Sequence, residues 1–194
     1  MEKIVFASNN AHKVQELRQL LGSGYEVLSL ADIGCSANIP ETADTFEGNA
    51  LQKAQWVMDH YGLDCIADDS GLEVDALGGA PGVHSARYAG PGHDHAANNA
   101  RLLAELAGHT DRAARFRTVI ALLRNGHEPM FFSGKVEGTI LDHLQGKEGF
   151  GYDPLFMPSG WDKTFAEASM AEKNAVSHRG NAVRELVAYL SQNK

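Results

Sequence analysis

Cys35 and Cys65 are the only cysteines in 194 residues. Two thiols are too few for a disulfide framework or a thiolate metal site. The chain also lacks any apolar run of roughly 18 residues, so no transmembrane helix is expected. Met1-Glu2-Lys3-Ile4-Val5 leads straight toward a strand and carries none of the features of a signal peptide, which makes a cytoplasmic location the expectation. Positive charge is scarce: 17 Lys and Arg stand against 25 Asp and Glu, for a net charge of -8. A surface that wraps a nucleic-acid backbone is basic, so neither nucleic acid nor membrane is expected as a partner. This deficit still permits a small phosphorylated ligand, for which one local cationic pocket and Mg²⁺ suffice. The Walker pattern G-x-x-x-x-G-K-[ST] is missing too, which excludes a P-loop.

With 43% hydrophobic residues the chain can bury a sizeable core, and residues 1-194 are most simply one domain. The centre of interest is Ile66-Ala67-Asp68-Asp69-Ser70-Gly71-Leu72. Cys65-Ile66-Ala67 reads as the end of a buried strand that delivers two carboxylates to a turn at Ser70-Gly71. In an extended segment Asp68 and Asp69 point to opposite faces. One then aims into a cleft while the other braces the turn. Such a pair suits Mg²⁺, which takes one or two carboxylates and completes its octahedron with waters and substrate phosphates. The same four residues also fit an ordinary Asx turn, so the motif needs partners.

The partners come from the rest of the chain. Lys3-Ile4-Val5-Phe6-Ala7 reads as a buried central strand. It breaks at Ser8-Asn9-Asn10, before a helix with apolar Val14, Leu17, Leu20 and Leu21 and a cap at Gly22. Asn10 is the N-cap candidate, which places Lys13 in the first turn, where the helix dipole disfavours a cation. That lysine is either solvated or facing an anion, and a strand feeding a helix N-terminus is an anion-binding geometry. Glu26 to Leu30 predicts a second strand, and residues 31–43 form a loop carrying Glu41. Asp44 with Glu47 resembles a capping box, and Phe46, Ala50, Ala54, Val57 and Met58 form the inward stripe of the helix behind it. Asp94 is an N-cap candidate ahead of a helix with Leu102, Leu103 and Leu106.

Arg115 to Leu123 and Met130 to Ile140 read as strands joined by Asn125-Gly126 in a type I′ hairpin. Gly134 and Gly138 would mark bulges or bends. In Gly149-Phe150-Gly151-Tyr152-Asp153 two aromatics are displayed between glycines, a loop that lets a ring stack on a planar base or simply makes a tight corner. Ser177 is an N-cap candidate, and His178 and Arg179 then repeat the placement of cations at a helix start. Three such residues at two helix starts point to a shared anionic or carbonyl-rich ligand, with phosphate foremost.

The ordered set Ser8-Asn9-Asn10-x-x-Lys13, Glu41-Thr42, Thr45-Phe46-x-x-Asn49-Ala50, Ala67-Asp68-Asp69-Ser70-Gly71-Leu72, Pro81-Gly82-x-x-Ser85-Ala86-Arg87, Gly149-Phe150-Gly151-Tyr152-Asp153-Pro154 and Ser177-His178-Arg179-Gly180 resembles the Ham1-like inosine triphosphate pyrophosphatases. The blocks span essentially the whole chain. The resemblance implies an α/β fold of the Maf/Ham1-like kind: a long mixed central β-sheet flanked by helices, two lobes with a substrate cleft between them, and a homodimer. It also implies Mg²⁺-dependent hydrolysis of ITP, dITP and XTP to the monophosphate and pyrophosphate. Carried over by position, Ser8, Asn9, Asn10, Ala11, His12 and Lys13 hold the triphosphate with help from Ser70. Asp69 is the catalytic carboxylate and a metal ligand, and Glu41 a further metal ligand. Phe150 stacks on the base, and Gly151, Tyr152, Asp153, Lys173, His178 and Arg179 surround its edge. Three rivals remain: a Maf-type pyrophosphatase, a Mg²⁺ phosphatase releasing orthophosphate, and a nucleotide-sensing module without turnover. Ser8 followed by Asn9-Asn10 and Lys13, where Maf proteins have Ser-x-x-x-Arg, disfavours the first.

Overall fold

Ile4, Val5 and Phe6 are all buried, as a strand covered on both faces requires. They end β1 (Glu2–Phe6) in a computed structural model that describes residues 2–192, apart from the side chain of His12. The strands β2 (Tyr25–Leu28), β3 (Cys65–Val74), β4 (Ala113–Leu123), β5 (Met130–Ile140) and β6 (Phe156–Pro158) complete a six-stranded sheet in the order β2-β1-β3-β4-β5-β6. β1 is parallel to β2 and β3, whereas β5 and β6 are antiparallel, so the sheet is mixed, as expected. Five helices accompany it among the described residues: α1 (Ala11–Leu21), α2 (Phe46–Tyr61), α3 (His95–Glu105), α4 (Met170–Val176) and α5 (His178–Gln192).

The chain divides into two compact units. The first holds the chain up to Asp69, Thr118–Ser133 and the stretch from Ala182 on. Alternation along its strands sends side chains to two separate cores. Ile4, Phe6 and Ile66 pack with Val14 and Leu17 of α1 and with Ala182, Val183, Leu186 and Leu190 of α5. Their neighbours Val5, Ala7, Cys65 and Ala67 pack with Ala54 and Val57 of α2. The second unit holds Ser70–Arg117 and Gly134–Asn181. Its core joins Leu72 and Val74 to Leu102, Leu106, Phe116, Ile140, Phe156 and Phe165.

Four local expectations change. β3 runs unbroken through Asp68-Asp69-Ser70-Gly71 to Val74, so the carboxylates sit in mid-strand and Ser70-Gly71 makes no turn. Ladder and apolar flanks on both sides outweigh the turn preference of four short polar residues. The N-cap of α2 is Thr45, whose hydroxyl accepts from the Gly48 N–H at 3.0 Å, one residue after the expected Asp44. Residues 124–129 separate β4 from β5, and Gly126 alone takes positive φ, so Asn125-Gly126 is not a type I′ turn, which needs both. Gly138 marks a close approach: a Cβ there would lie 2.4 Å from the Met157 carbonyl oxygen on β6.

Candidate functional site

In the first unit the alternation of β3 decides where each carboxylate goes. Asp68 shares its face with Ile66 and therefore meets α1; Asp69 shares the face of Ala67 and meets α2. Asn10 caps α1 by accepting the Lys13 N–H at 3.2 Å, and Ser8 Oγ accepts the Asn10 N–H at 3.1 Å. This turn aims the Lys13 ammonium at Asp68 Oδ2, 2.8 Å away. The cation at the unfavourable end of the helix thus faces an anion supplied by the protein itself. Asn9 is used differently: its Oδ1 accepts from the Ala31 N–H at 3.0 Å.

On the other face, Asn49 of α2 is buried and spans two elements. Its Nδ2 donates to Asp69 Oδ2 at 3.0 Å, and its Oδ1 accepts from the Ala43 N–H at 2.8 Å. Gln52 zips the same loop to α2 through two hydrogen bonds with Thr42, at 2.8 and 2.9 Å. Glu41 is therefore held on a clamped loop. Its Oε1 lies 2.5 Å from Lys53 Nζ, which also donates to the main-chain oxygen of Asp68 at 2.5 Å. Burial lowers the Lys53 pKa, but the surrounding charges of Asp68, Glu41 and Asp69 more than reverse this and hold it above the usual lysine value.

Lys53 is the residue that inspection of the sequence overlooks. Its signal is there in retrospect: Asn49 and Lys53 are polar, four residues apart, and lie on the inward stripe with Phe46, Ala50, Ala54 and Val57. A polar pair in a buried stripe has partners to meet. Both cysteines are buried, and burial pushes the Cys65 thiol far up, so Cys65 is not an activated nucleophile.

In the second unit the loop from Gly149 to Asp153 is built around one carboxylate. Asp153 is buried, and its Oδ2 accepts from the Phe150 N–H at 3.1 Å and from Lys173 Nζ at 2.5 Å. Gly149 has φ 74°, and a Cβ there would stand 2.3 Å from Asp153 Oδ2. The Phe150 ring is left 63% exposed, with the Lys173 ammonium 4.5 Å from its centre. Tyr152 departs from expectation: its ring is turned into the core and its hydroxyl donates to the Ser85 carbonyl at 2.6 Å. Of the two aromatics between glycines, one is displayed and one is structural. Ser177 caps α5 by accepting the Gly180 N–H at 3.0 Å, and the His178 ring stacks on Phe116 at 5.1 Å.

Lys13, Asp68, Asp69, Glu41 and Lys53 thus gather in the first unit, and Phe150, Asp153 and Lys173 in the second. Ala11 opens α1 and is exposed; Ser70 and Gly151 lie in β3 and the glycine loop, and Arg179 is half-buried at the start of α5. The expected contact from the His12 side chain lies outside the described residues. Among the described residues no three His, Cys, Asp or Glu side chains form a ready metal cage. The donor chemistry nonetheless fits a hard cation such as Mg²⁺, because Glu41 and Asp69 offer carboxylate oxygens and substrate oxygens can complete the set.

The family model described as the Ham1 family matches residues 4–189. A dITP/XTP pyrophosphatase of Christiangramia forsetii is 51% identical over 190 residues, which is 98% of this chain and 100% of that one. Its counterpart in Porphyromonas gingivalis is 52% identical, with 98% of each chain covered. The Staphylococcus aureus Ham1 protein has a TM-score of 0.95 at 41% identity, over 100% of both chains. A Mycobacterium abscessus structure described as a nucleoside-triphosphatase / dITP/XTP pyrophosphatase has a TM-score of 0.84 at 47% identity, over 95% of this chain and 98% of that one.

Proposed function

The chain belongs to the Ham1 family, and from that premise we propose that it hydrolyses the non-canonical purine nucleoside triphosphates ITP, dITP and XTP to the monophosphate and pyrophosphate. The observation that carries this reading is the gathering of two lysines and three carboxylates about the middle of β3. The names of the relatives supply the substrate class.

In this reaction a water oxygen bonds to the α-phosphorus, the bond from that phosphorus to the bridging oxygen breaks, and pyrophosphate leaves. Asp69, oriented by the Asn49 amide, accepts the proton of the attacking water. Lys13 and Lys53 balance charge on the phosphate oxygens and on the leaving group. Ser8, Asn9, Asn10, Ala11 and His12 with Ser70 complete the triphosphate cradle. Glu41 and Asp69 would hold Mg²⁺, which when bound neutralises phosphate charge and orients the oxygens. No covalent nucleophile is needed.

Phe150, the one aromatic of its loop left in solvent, stacks on the base. Lys173, His178 and Arg179 offer donors to a 6-oxo group, while the backbone of Gly151 and Tyr152 and the carboxylate of Asp153 shape the pocket floor. Adenine places an amino donor where a 6-oxo acceptor belongs and leaves such donors unpaired, a mismatch of about 1–3 kcal/mol per group. The same resemblance carries a homodimer, and the absence of a signal-peptide pattern is what favours a cytoplasmic location. Among the described residues no helix is long and apolar enough to cross a membrane.

The test is a product assay with Mg²⁺ and equal concentrations of ITP, XTP, GTP and ATP, repeated with EDTA. IMP and pyrophosphate from ITP, little reaction of GTP or ATP, and no turnover with EDTA are expected. IDP with orthophosphate, or equal use of all four, overturns the reading.

A further inference from the structure

Asn99 belongs to none of the groups above. It lies on α3, is 6% exposed, and donates from Nδ2 to the Gly151 carbonyl at 2.9 Å. A carbonyl only accepts, so the amide nitrogen must be the end that faces it. The other end, Oδ1, is buried with no partner among the described residues. Its neighbour Asn98 shows the contrast. Asn98 Oδ1 accepts from the Ala89 N–H at 2.7 Å while its Nδ2 donates to the Ala86 carbonyl at 3.0 Å, so both ends are satisfied. Burying an amide acceptor unpaired costs stability. A leucine, with the same branching and number of side-chain heavy atoms, would bury no unpaired acceptor at position 99. What asparagine supplies there is the single N–H to Gly151.

That bond falls next to Phe150. On one side of the ring the Phe150 N–H is gripped by Asp153 Oδ2. The Phe150 carbonyl accepts from the Asp153 N–H at 3.2 Å, and the carbonyl after it is the one Asn99 holds. Phe150 is 63% exposed and, apart from the Lys173 ammonium over its face, gets little orientation from packing, so its backbone decides where the ring points.

We propose that Asn99 is a positioning residue for base recognition: by fixing the Gly151 carbonyl it sets the Phe150 ring in the orientation that stacks on a purine. The proposal rests on the reading of the preceding subsection, in which Phe150 meets the base. Asn99 bonds to the base-reading loop and is not among the residues assigned to the triphosphate cradle, so its loss weakens only what depends on the base.

The experiment compares the full-length wild type, Asn99→Leu, Phe150→Ala and the double variant. It measures kcat and KM for ITP, inhibition by inorganic triphosphate, and Tm. Asn99→Leu is expected to raise KM for ITP roughly threefold, a fraction of what loss of the stacking ring itself costs. It should leave kcat within about twofold, inhibition by inorganic triphosphate unchanged and Tm undiminished. In the Phe150→Ala background it should add nothing, because the ring it positions is gone. Asn99→Ala, which leaves room for a water, gives the same split without a larger apolar side chain. An unchanged KM, an equal rise in KM in both backgrounds, or an equal loss of inorganic triphosphate binding overturns the proposal. A wild type that makes no IMP from ITP overturns the preceding reading instead, and shows it before any variant is examined.

Discussion

Lys53 Nζ stands 2.5 Å from Glu41 Oε1 and 2.5 Å from the main-chain oxygen of Asp68, so one ammonium fastens a loop to the central strand. The side chain is only 12% exposed, and a charge so withdrawn from water persists where opposite charges compensate it. Asp68 and Asp69 add to Glu41 in doing so. Lys53→Met should therefore leave Glu41 and Asp69 facing incoming phosphates with one less cation. We expect kcat for ITP to fall about 10²–10³-fold, the usual cost of one electrostatic group at a reacting centre. Steady-state kinetics at saturating Mg²⁺ check this, and a kcat within experimental error of the wild type would remove Lys53 from the chemistry.

The adjacent carboxylates should separate in their effects. Asp69 is half-buried and bonded to Asn49, so Asp69→Asn keeps a similar shape while losing the proton acceptor. A fall in kcat of about 10²–10⁴-fold with an unchanged Tm is expected. Asp68 has a side chain 4% exposed against the Lys13 ammonium, and breaking such a pair from one side is destabilising. Asp68→Asn should lower Tm and raise KM. Thermal melts and kinetics on both variants decide it, since identical behaviour would mean that strand alternation does not divide their roles.

Much of this arrangement was legible in the chain because it follows from local rules. The buried run at Ile4 to Phe6, the Asn10, Asp94 and Ser177 caps and the strand from Met130 to Ile140 appear where periodicity and capping chemistry put them. Asp68 and Asp69 face opposite ways because a strand alternates. The failures are places where distant contacts decide. Asp-Asp-Ser-Gly has the composition of a turn, yet it lies between apolar flanks that pair on either side. Tyr152 looks displayed between glycines, and only the Ser85 carbonyl, 67 residues away in sequence, explains why it is not. Lys53 could be placed only once Glu41, on its clamped loop, had been brought to it.

Glu41 offers a metal-dependent test. Its side chain is 40% exposed, the glutamine amide keeps an oxygen for Lys53 to donate to, and Asp68 and Asp69 still compensate that ammonium, so Glu41→Gln should fold with at most a small fall in Tm. If Glu41 helps to hold Mg²⁺, the variant needs more Mg²⁺ for half-maximal rate while its kcat at saturating Mg²⁺ recovers in part. A titration of Mg²⁺ at fixed ITP measures both, and an unshifted midpoint would exclude Glu41 as a ligand.

Phe150 separates binding of the base from binding of the phosphates. Because its ring is 63% exposed, Phe150→Ala removes little buried surface and Tm should hardly move. The loss of one stacking partner should raise KM for ITP by about tenfold or more, with inhibition by inorganic triphosphate unaffected. If both weaken together, the loop supports the whole site and does not read the base.

The last prediction concerns acid. Glu172 closes the capping box of α4, the helix that carries Lys173: its Oε2 accepts the Ser169 N–H at 2.8 Å, and Lys163 Nζ lies 2.8 Å from its Oε1. The Lys163 bond foremost, then the Ser169 N–H, hold its carboxyl at about 2, well below the ordinary 4.5. A carboxylate depressed in the folded state contributes stability that is complete above its unfolded pKa and is lost as pH falls through the folded value. The Tm difference between wild type and Glu172→Gln should accordingly be largest above pH 4.5 and close progressively toward pH 2. Melts at intervals across that window read it directly. A difference that stays constant down to the lowest pH at which the protein is folded would assign the cap to geometry alone, with no contribution from the charge.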